Sequence, residues 1–411
     1  MTQTTQIEKA TDTSNRPKVE LADIFRKHGR DYCESRKLTK EQHNAVYAIS
    51  NCRTAAYGFH ADVCDICGHT STEHNSCRNR NCPKCQGVSK RIWVGARLSE
   101  LLPIDYHHAT FTVPAAISAL SLFNRKLLYD LLFDAASKTL LCFGHDPRWL
   151  GAEIGFYGIL HTWSQTLWTH VHLHFIVTAG GLTDDGEWIE PKHGGKFLFP
   201  TAALAMVFRG KFVEGLKKAY YAGELVIPED KKELERPHMF EAWIDSLVSK
   251  KWVVNSKPPF SGPEEVVRYI GRYTHRTAIS NSRIVTVDDG TVTFSYKDNK
   301  ERDKSKIWKE MTLPVEEFMT RFLSHVLPKG FHRIRHFGFL ANGCKAQNLE
   351  IIRECLPDEE SGAIAEDADG AVCPECGIGR MRTFLVTDCE GRILKIGFAA
   401  FEKNTETADT S

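Results

Sequence analysis

Three histidines at alternate positions, in the run Thr-His-Val-His-Leu-His-Phe-Ile-Val over residues 169–177, form the densest chemistry in the chain. Val171, Leu173, Phe175 and Val177 alternate with His170, His172 and His174. That period belongs to a strand with one apolar face and one histidine face. Imidazoles two residues apart on one face can share a divalent ion. Neutral imidazole suits manganese or zinc better than magnesium.

Cysteine supplies a second metal chemistry. Cys64-Asp-Ile-Cys67 and Cys82-Pro-Lys-Cys85 are fourteen residues apart. Together they offer the four thiolates of a closed tetrahedral zinc site, which folds a segment too small for its own core. A closed site leaves no open position, so this zinc is expected to be structural. His60, His69, His74 and Cys77 lie between or beside the pairs and could replace a ligand or build a second site. Thirteen cysteines with five in residues 64–85 suggest metal and a reducing compartment, not disulfides. Cys373-Pro-Glu-Cys376 with Cys389 is half a zinc ribbon, equally open to metal binding and to free thiols in an exposed turn.

The third constellation is Arg268-Tyr269-Ile-Gly-Arg272-Tyr273-Thr-His275-Arg276. Tyr269 and Tyr273, four apart, share one helix face, and Arg268, Arg272 and Arg276 make a second row beside them. Tyrosine, arginine and a metal are the parts that phosphodiester cleavage through a covalent intermediate requires. A basic stretch adds to this. Arg78, Arg80, Lys84, Lys90, Arg91 and Arg97 follow one another around Trp93, with no acid between Asn75 and Arg97. Charge of this kind suits a phosphate backbone.

Several elements must position these groups. Helical spacing runs over 18–50, and residues 52–85 read as irregular. A helix is expected from about 88 to 102, a strand at 106–113, a long helix at 116–142 and a strand at 153–163 leading to the histidine strand. Asp184-Asp185-Gly186 signals a hairpin, as does Asp288-Asp289-Gly290 between strands at 283–287 and 291–296. Helices are expected at 201–221, 233–249, 314–327 and 345–356. A strand is expected near 305–312. Ser261-Gly262-Pro263-Glu264-Glu265 starts the tyrosine helix.

The expected organisation is a disordered 1–16, a helical and zinc-binding DNA-binding region at 17–100, a catalytic region at 101–356, an acidic linker at 357–371 and a small tail at 372–411. No run of eighteen apolar residues exists, and the N-terminus has no apolar signal core, so a cytoplasmic protein is expected. A net charge of +1, with 42% hydrophobic and 26% charged residues, is ordinary for a globular protein.

His172-Leu173-His174 before Phe-Ile-Val resembles the His-hydrophobic-His motif of HUH endonucleases. The run Tyr-Ile-Gly-Arg-Tyr-Thr-His-Arg from Tyr269 resembles the two-tyrosine signature of rolling-circle insertion-sequence transposases. Residues 75–86 resemble the zinc-binding segment of that family, and Phe331-His-Arg-Ile-Arg-His-Phe-Gly-Phe-Leu-Ala-Asn also matches. The resemblance covers about residues 18–356. It implies an α+β fold, with a central antiparallel sheet of HUH (Rep/relaxase-like) topology after a helical and zinc-ribbon-like N-terminal region. Helices would lie on one face, with the tyrosine helix over the metal.

The resemblance also implies a metal-dependent single-strand DNA nickase and strand transferase that forms a 5′-phosphotyrosine. His172 and His174 would bind catalytic Mg2+ or Mn2+, with His170, Gln165 or His161 open as third ligand. Tyr269 and Tyr273 would be nucleophiles, acting on single-stranded DNA at element ends and target. No nucleotide-binding Gly-x-x-x-x-Gly-Lys motif is present. The rivals are a replication initiator of the same chemistry and a non-catalytic zinc-ribbon regulator.

Overall fold

The computed structural model describes residues 19–87, 100–192, 198–260, 276–356 and 370–397. The expected disordered N-terminus, most of the helix expected at 88–102, the tyrosine helix and most of the acidic linker lie outside the described residues. Numbering strands and helices in chain order, five strands form the central antiparallel sheet. Across it run β12 (Ile334–Phe337), β4 (Phe156–Trp163), β5 (Thr169–Thr178), β3 (Tyr106–Thr112) and β8 (Val253–Phe260).

The histidine strand β5 is the middle strand. Its odd positions, Val171, Leu173, Phe175 and Val177, are buried in the largest core. That core is closed by α4 (Arg125–His145), α5 (Thr201–Tyr221) and α6 (Pro237–Val248). Phe111 on β3 meets Phe175 and Phe208 edge-on, with ring centroids 5.4 and 5.1 Å apart. Opposite Phe175 stands Gly158 on β4, where a Cβ would come within 2.5 Å of the ring, so only glycine admits this packing.

The even face of β5 is divided. Ile176 joins Tyr106, Tyr157, Phe339, Leu349 and Ile352 in a second core under α8 (Lys345–Cys355). Helices therefore lie on both faces, not one. The reason is the change from histidine to isoleucine at position 176, which gives that end of the even face apolar surface to bury.

Two smaller units flank this sheet. In one, α1 (Leu21–Ser35) and α2 (Lys40–Ser50) share a core with β9 (Ile284–Asp288), β10 (Thr291–Lys297), β11 (Trp308–Pro314) and α7 (Val315–Leu323). Phe25 meets Phe322 edge-on at 5.5 Å, and the buried Gln42 amide donates to the Leu323 carbonyl at 2.9 Å. The packing thus crosses the boundary expected near residue 100. Asp289 and Gly290 both have positive φ, 39° and 78°, as the predicted Asp-Gly hairpin turn requires. In the other unit β1 (Phe59–Cys64) and β2 (Thr70–His74) join β13 (Met381–Thr387) and β14 (Ile393–Ile396), in the order β14-β13-β1-β2. The cysteine-rich stretch read as irregular is therefore partly a hairpin.

Other expectations differ in detail. The long helix at 116–142 is two helices, α3 (Ala115–Leu120) and α4. Asn124 at the break exchanges two hydrogen bonds with the Val226 backbone, each 2.8 Å. Strand β8 was hidden by Pro258 and Pro259, which an edge strand tolerates. Between α5 and α6 the predicted start at 233 moves to Pro237, which takes a first-turn position. The Asp184-Asp185-Gly186 hairpin forms between β6 (Gly181–Leu182) and β7 (Trp188–Ile189).

His325 joins the flanking unit to the central sheet. Its Nε2–H donates to the Leu167 carbonyl at 2.9 Å, and Nδ1 accepts from Thr162 Oγ1 at 3.1 Å. Burial holds its pKa down to about 4 from the usual 6.5. Below pH 6.5 the unfolded chain gains a proton that the folded chain refuses until about pH 4. The stability supplied by neutral His325 is thus complete above pH 6.5 and is lost as pH falls through 4. Denaturant unfolding should show the wild type losing up to about 3 kcal/mol more than His325→Gln across that window. Parallel pH profiles would contradict this.

Candidate metal centre

Strand register brings the histidines together. His161 on β4 is directly opposite His172 on β5, and Ile159 and Thr110 flank His174. Nitrogens of His161, His172 and His174 all lie within 4.8 Å of one another. The Nε2 atoms of His172 and His174 are 3.1 Å apart. Nitrogens bound to one ion at about 2.1 Å stand about 3 Å apart, so the spacing fits a shared ion.

The other ring nitrogens fix the tautomers. His172 Nδ1–H donates to the His170 carbonyl at 2.8 Å. With His174 Nε2 turned toward His172, its Nδ1–H donates to Nε2 of His108 at 2.9 Å. His108, on β3, is 3% exposed, and burial first, then Lys257, hold its pKa down to about 3, so it stays a neutral acceptor. Burial, followed by the charges of His170 and Arg276, holds His172 at about 4. Burial also pushes His174 far below the ordinary histidine value, with His161, His172, His108 and Arg276 adding to it. These are unprotonated imidazoles, as metal ligands must be.

Of the three open third ligands, the fold brings His161 to His172 and His174. His170 contributes its carbonyl, with its ring 4.8 Å from that of His172. Gln165 offers its carbonyl to Arg283. His108 was missed. Its signal was the pair His107-His108 on a strand with an apolar alternate face, and only the pairing of β3 with β5 reveals it. Tyr269, Tyr273, Arg268 and Arg272 lie outside the described residues. Arg276, the first described residue after them, is exposed and close enough to act on both His172 and His174. Its carbonyl accepts from Arg333 at 3.1 Å.

The cysteines form two groups, not one. Cys82 and Cys85 join Cys52 and Cys77, whereas Cys64 and Cys67 join Cys373 and Cys376. The single site of Cys64, Cys67, Cys82 and Cys85 is thereby corrected. The β1–β2 hairpin carries the first pair away to β13, while Cys82 and Cys85 pack against the end of α2. Cys85 Sγ stands 3.6 Å from Cys52 Sγ and 3.5 Å from Cys77 Sγ, the spacing of thiolates around one zinc. Cys52, twenty-five residues ahead of Cys77, gave no spacing signal. His60, His69 and His74 belong to neither group.

The basic segment is partly turned inward. Arg80 donates to the carbonyls of Phe331, Pro328 and Leu327 at 2.8, 2.9 and 3.4 Å. It ties the Cys82–Cys85 turn to the loop before β12, so its guanidinium meets protein carbonyls where a phosphate contact was expected. Lys84 is paired with Glu20. Arg78 is exposed, at a φ of 51°. Lys90, Arg91, Trp93 and Arg97 lie outside the described residues.

A family profile described as a putative transposase matches residues 155–348. Another, described as a transposase zinc-binding domain, matches residues 24–113. The chain is 43% identical over 385 residues to the putative transposase y4qJ of Sinorhizobium fredii, covering 90% of this chain and 96% of that protein. It is 28% identical over 312 residues to the transposase for insertion sequence element IS801 of Pseudomonas savastanoi pv. phaseolicola, covering 74% of this chain and 72% of that one. No solved structure matches.

Replacing His108 by alanine removes the nearer acceptor of the His174 Nδ1–H, at 2.9 Å, leaving Thr110 Oγ1 at 3.4 Å, and loosens the hold on the ring. Manganese affinity, read by electron paramagnetic resonance titration, should weaken about 10–100-fold in His108→Ala and recover in part in His108→Gln. Equal affinity in His108→Ala and wild type would show that His108 does not orient the site.

Proposed function

The chain belongs to the insertion-sequence transposase family of these relatives, with an N-terminal zinc-binding domain, and from that premise we propose that it cuts and rejoins single-stranded DNA through tyrosine. The observation that carries this reading is the convergence of His161, His172 and His174 on the histidine-bearing half of the central sheet. Three imidazoles, two of them neutral and held in one tautomer, are a ligand set for Mn2+ or Mg2+, with manganese the better match to nitrogen donors. A divalent ion bound there would polarise a phosphodiester oxygen.

In this reading the fold is of the HUH type, and its histidine strand bears the ligands His172 and His174, with His161 as the third. The hydroxyl of Tyr269 or Tyr273 attacks phosphorus. A bond forms between the phenolic oxygen and phosphorus, and the bond to the 3′ oxygen breaks. The products are a 5′-phosphotyrosine and a free 3′-hydroxyl, with the phenolic proton passing to the leaving strand or to solvent. Arg276, with Arg268 and Arg272, holds the phosphate charge during attack. Arg276 supports this placement by its proximity to His172 and His174. Two tyrosines allow one to carry the donor strand and the other the target strand, as rolling-circle transposition requires. Arg78 is left to meet the DNA backbone beside the zinc-binding region.

The test combines full-length protein, manganese and a single-stranded oligonucleotide bearing an element end, and looks for a protein–DNA adduct stable in SDS. Adduct should form with wild type and fall about 10³-fold or more in the double variant Tyr269→Phe, Tyr273→Phe. Persistence of the adduct in that variant would place the nucleophile elsewhere.

A further inference from the structure

Two of the eight clustered cysteines, Cys373 and Cys376, lie beyond both family matches, which end at residues 113 and 348. They nevertheless stand against Cys64 and Cys67 of the zinc-binding region. Cys64 Sγ is 3.8 Å from Cys376 Sγ, and Cys67 Sγ is 3.6 Å from Cys373 Sγ. Four thiolates around zinc at about 2.3 Å stand about 3.8 Å apart.

The two pairs are built alike. Each reads Cys-x-x-Cys-Gly, and the glycines have φ of 73° at Gly68 and 69° at Gly377. In each, the glycine amide donates to the first cysteine's carbonyl, at 3.2 Å for Gly68 and 3.0 Å for Gly377. In each, the first cysteine's amide closes a hairpin: Cys64 N–H to the His69 carbonyl at 2.8 Å, Cys373 N–H to the Gly379 carbonyl at 2.7 Å. Amides also aim at sulfur. Ile66 and Cys67 donate to Cys64 Sγ at 3.4 Å each, and Gly379 donates to Cys376 Sγ at 3.3 Å. Such donors favour thiolate. Gly379 lies so near that a Cβ there would be 2.4 Å from Cys64 Sγ.

Apolar packing cannot supply the cohesion of this unit. Its core is Cys64, Cys373 and Met381, with Cys376 packed alongside, and every residue of β14 is exposed. A segment with so little to bury needs a metal or a disulfide. Four sulfurs converging at tetrahedral spacing fit the metal.

We infer that Cys64, Cys67, Cys373 and Cys376 bind a second zinc ion, which clasps residues 370–397 onto the β1–β2 hairpin. The zinc-binding region is then a composite of both ends of the chain. One zinc at Cys52, Cys77, Cys82 and Cys85 is embedded beside α2, and the other fastens the C-terminal strands to β1. The clasp does not depend on the nuclease reading, because its ligands are remote in kind and place from the histidine centre.

Zinc per chain is measured on full-length protein after gel filtration. The variant Cys373→Ser, Cys376→Ser should contain one zinc fewer than wild type, with the zinc at Cys52, Cys77, Cys82 and Cys85 retained. Cys64, fully buried in the clasp, should then react with iodoacetamide at least about tenfold faster, as expected of a locally opened segment. Gly379→Ala, which keeps all four thiols, should show the same loss more weakly and guards against misfolding of the double variant. Zinc content unchanged in the double variant, or wild-type protein holding a single cysteine-bound zinc, would overturn the inference.

Discussion

The structure depends on the two-residue period of β5. Val171, Leu173, Phe175 and Val177 are each buried, at about 1.5–3 kcal/mol per side chain. A slip of one residue would turn these four outward and force His170, His172 and His174 into the apolar core. The register that buries hydrocarbon is therefore the register that aligns histidines. Packing energy, far larger than any imidazole–imidazole contact, positions these histidines without help from a metal. Neighbouring strands inherit the arrangement: pairing with β4 delivers His161, and pairing with β3 delivers His108.

The cysteine sites act on a different scale. Cys52, Cys82 and Cys85 are part of the core that also holds Phe25, Phe318 and Phe322. From that site Arg80 reaches the backbone of the loop leading into β12, the strand paired with β4. The zinc-binding region is thus joined to the histidine sheet by an inward-facing arginine. Desolvation lowers the Arg80 pKa, the cost of turning this side chain away from solvent, and three carbonyl acceptors offset it. The transposase family's two matched regions meet at this contact, as they also do where β3 pairs with β5.

Much of the histidine site was legible because strand alternation is local. Nine consecutive residues contain both the fold of β5 and the orientation of His172 and His174. His161 could only be one of three candidates, since its place depends on pairing across the β4–β5 turn. His108 is further removed still, sixty-six residues from His174 and joined to it through strand order. Cysteine spacing misled for a related reason. Cys64-x-x-Cys67 and Cys82-x-x-Cys85 look like partners because they are near in sequence, but the β1–β2 hairpin directs the first pair to a strand more than three hundred residues away. The repeated Cys-x-x-Cys-Gly at 64 and 373 was the available clue. Arg80 was read as a DNA contact because a run without acids looks like a surface, and the carbonyls its guanidinium meets are 247 to 251 residues away in sequence.

Strand pairing alone brings the nitrogens of His161, His172 and His174 within 4.8 Å of one another, as a three-imidazole divalent-ion site requires. X-ray absorption spectroscopy at the manganese edge, on protein whose cysteine sites are already filled with zinc, addresses it directly. A shell containing three imidazole nitrogens is expected, falling to two in His161→Ala. An all-oxygen shell, or one that does not change in His161→Ala, would contradict it.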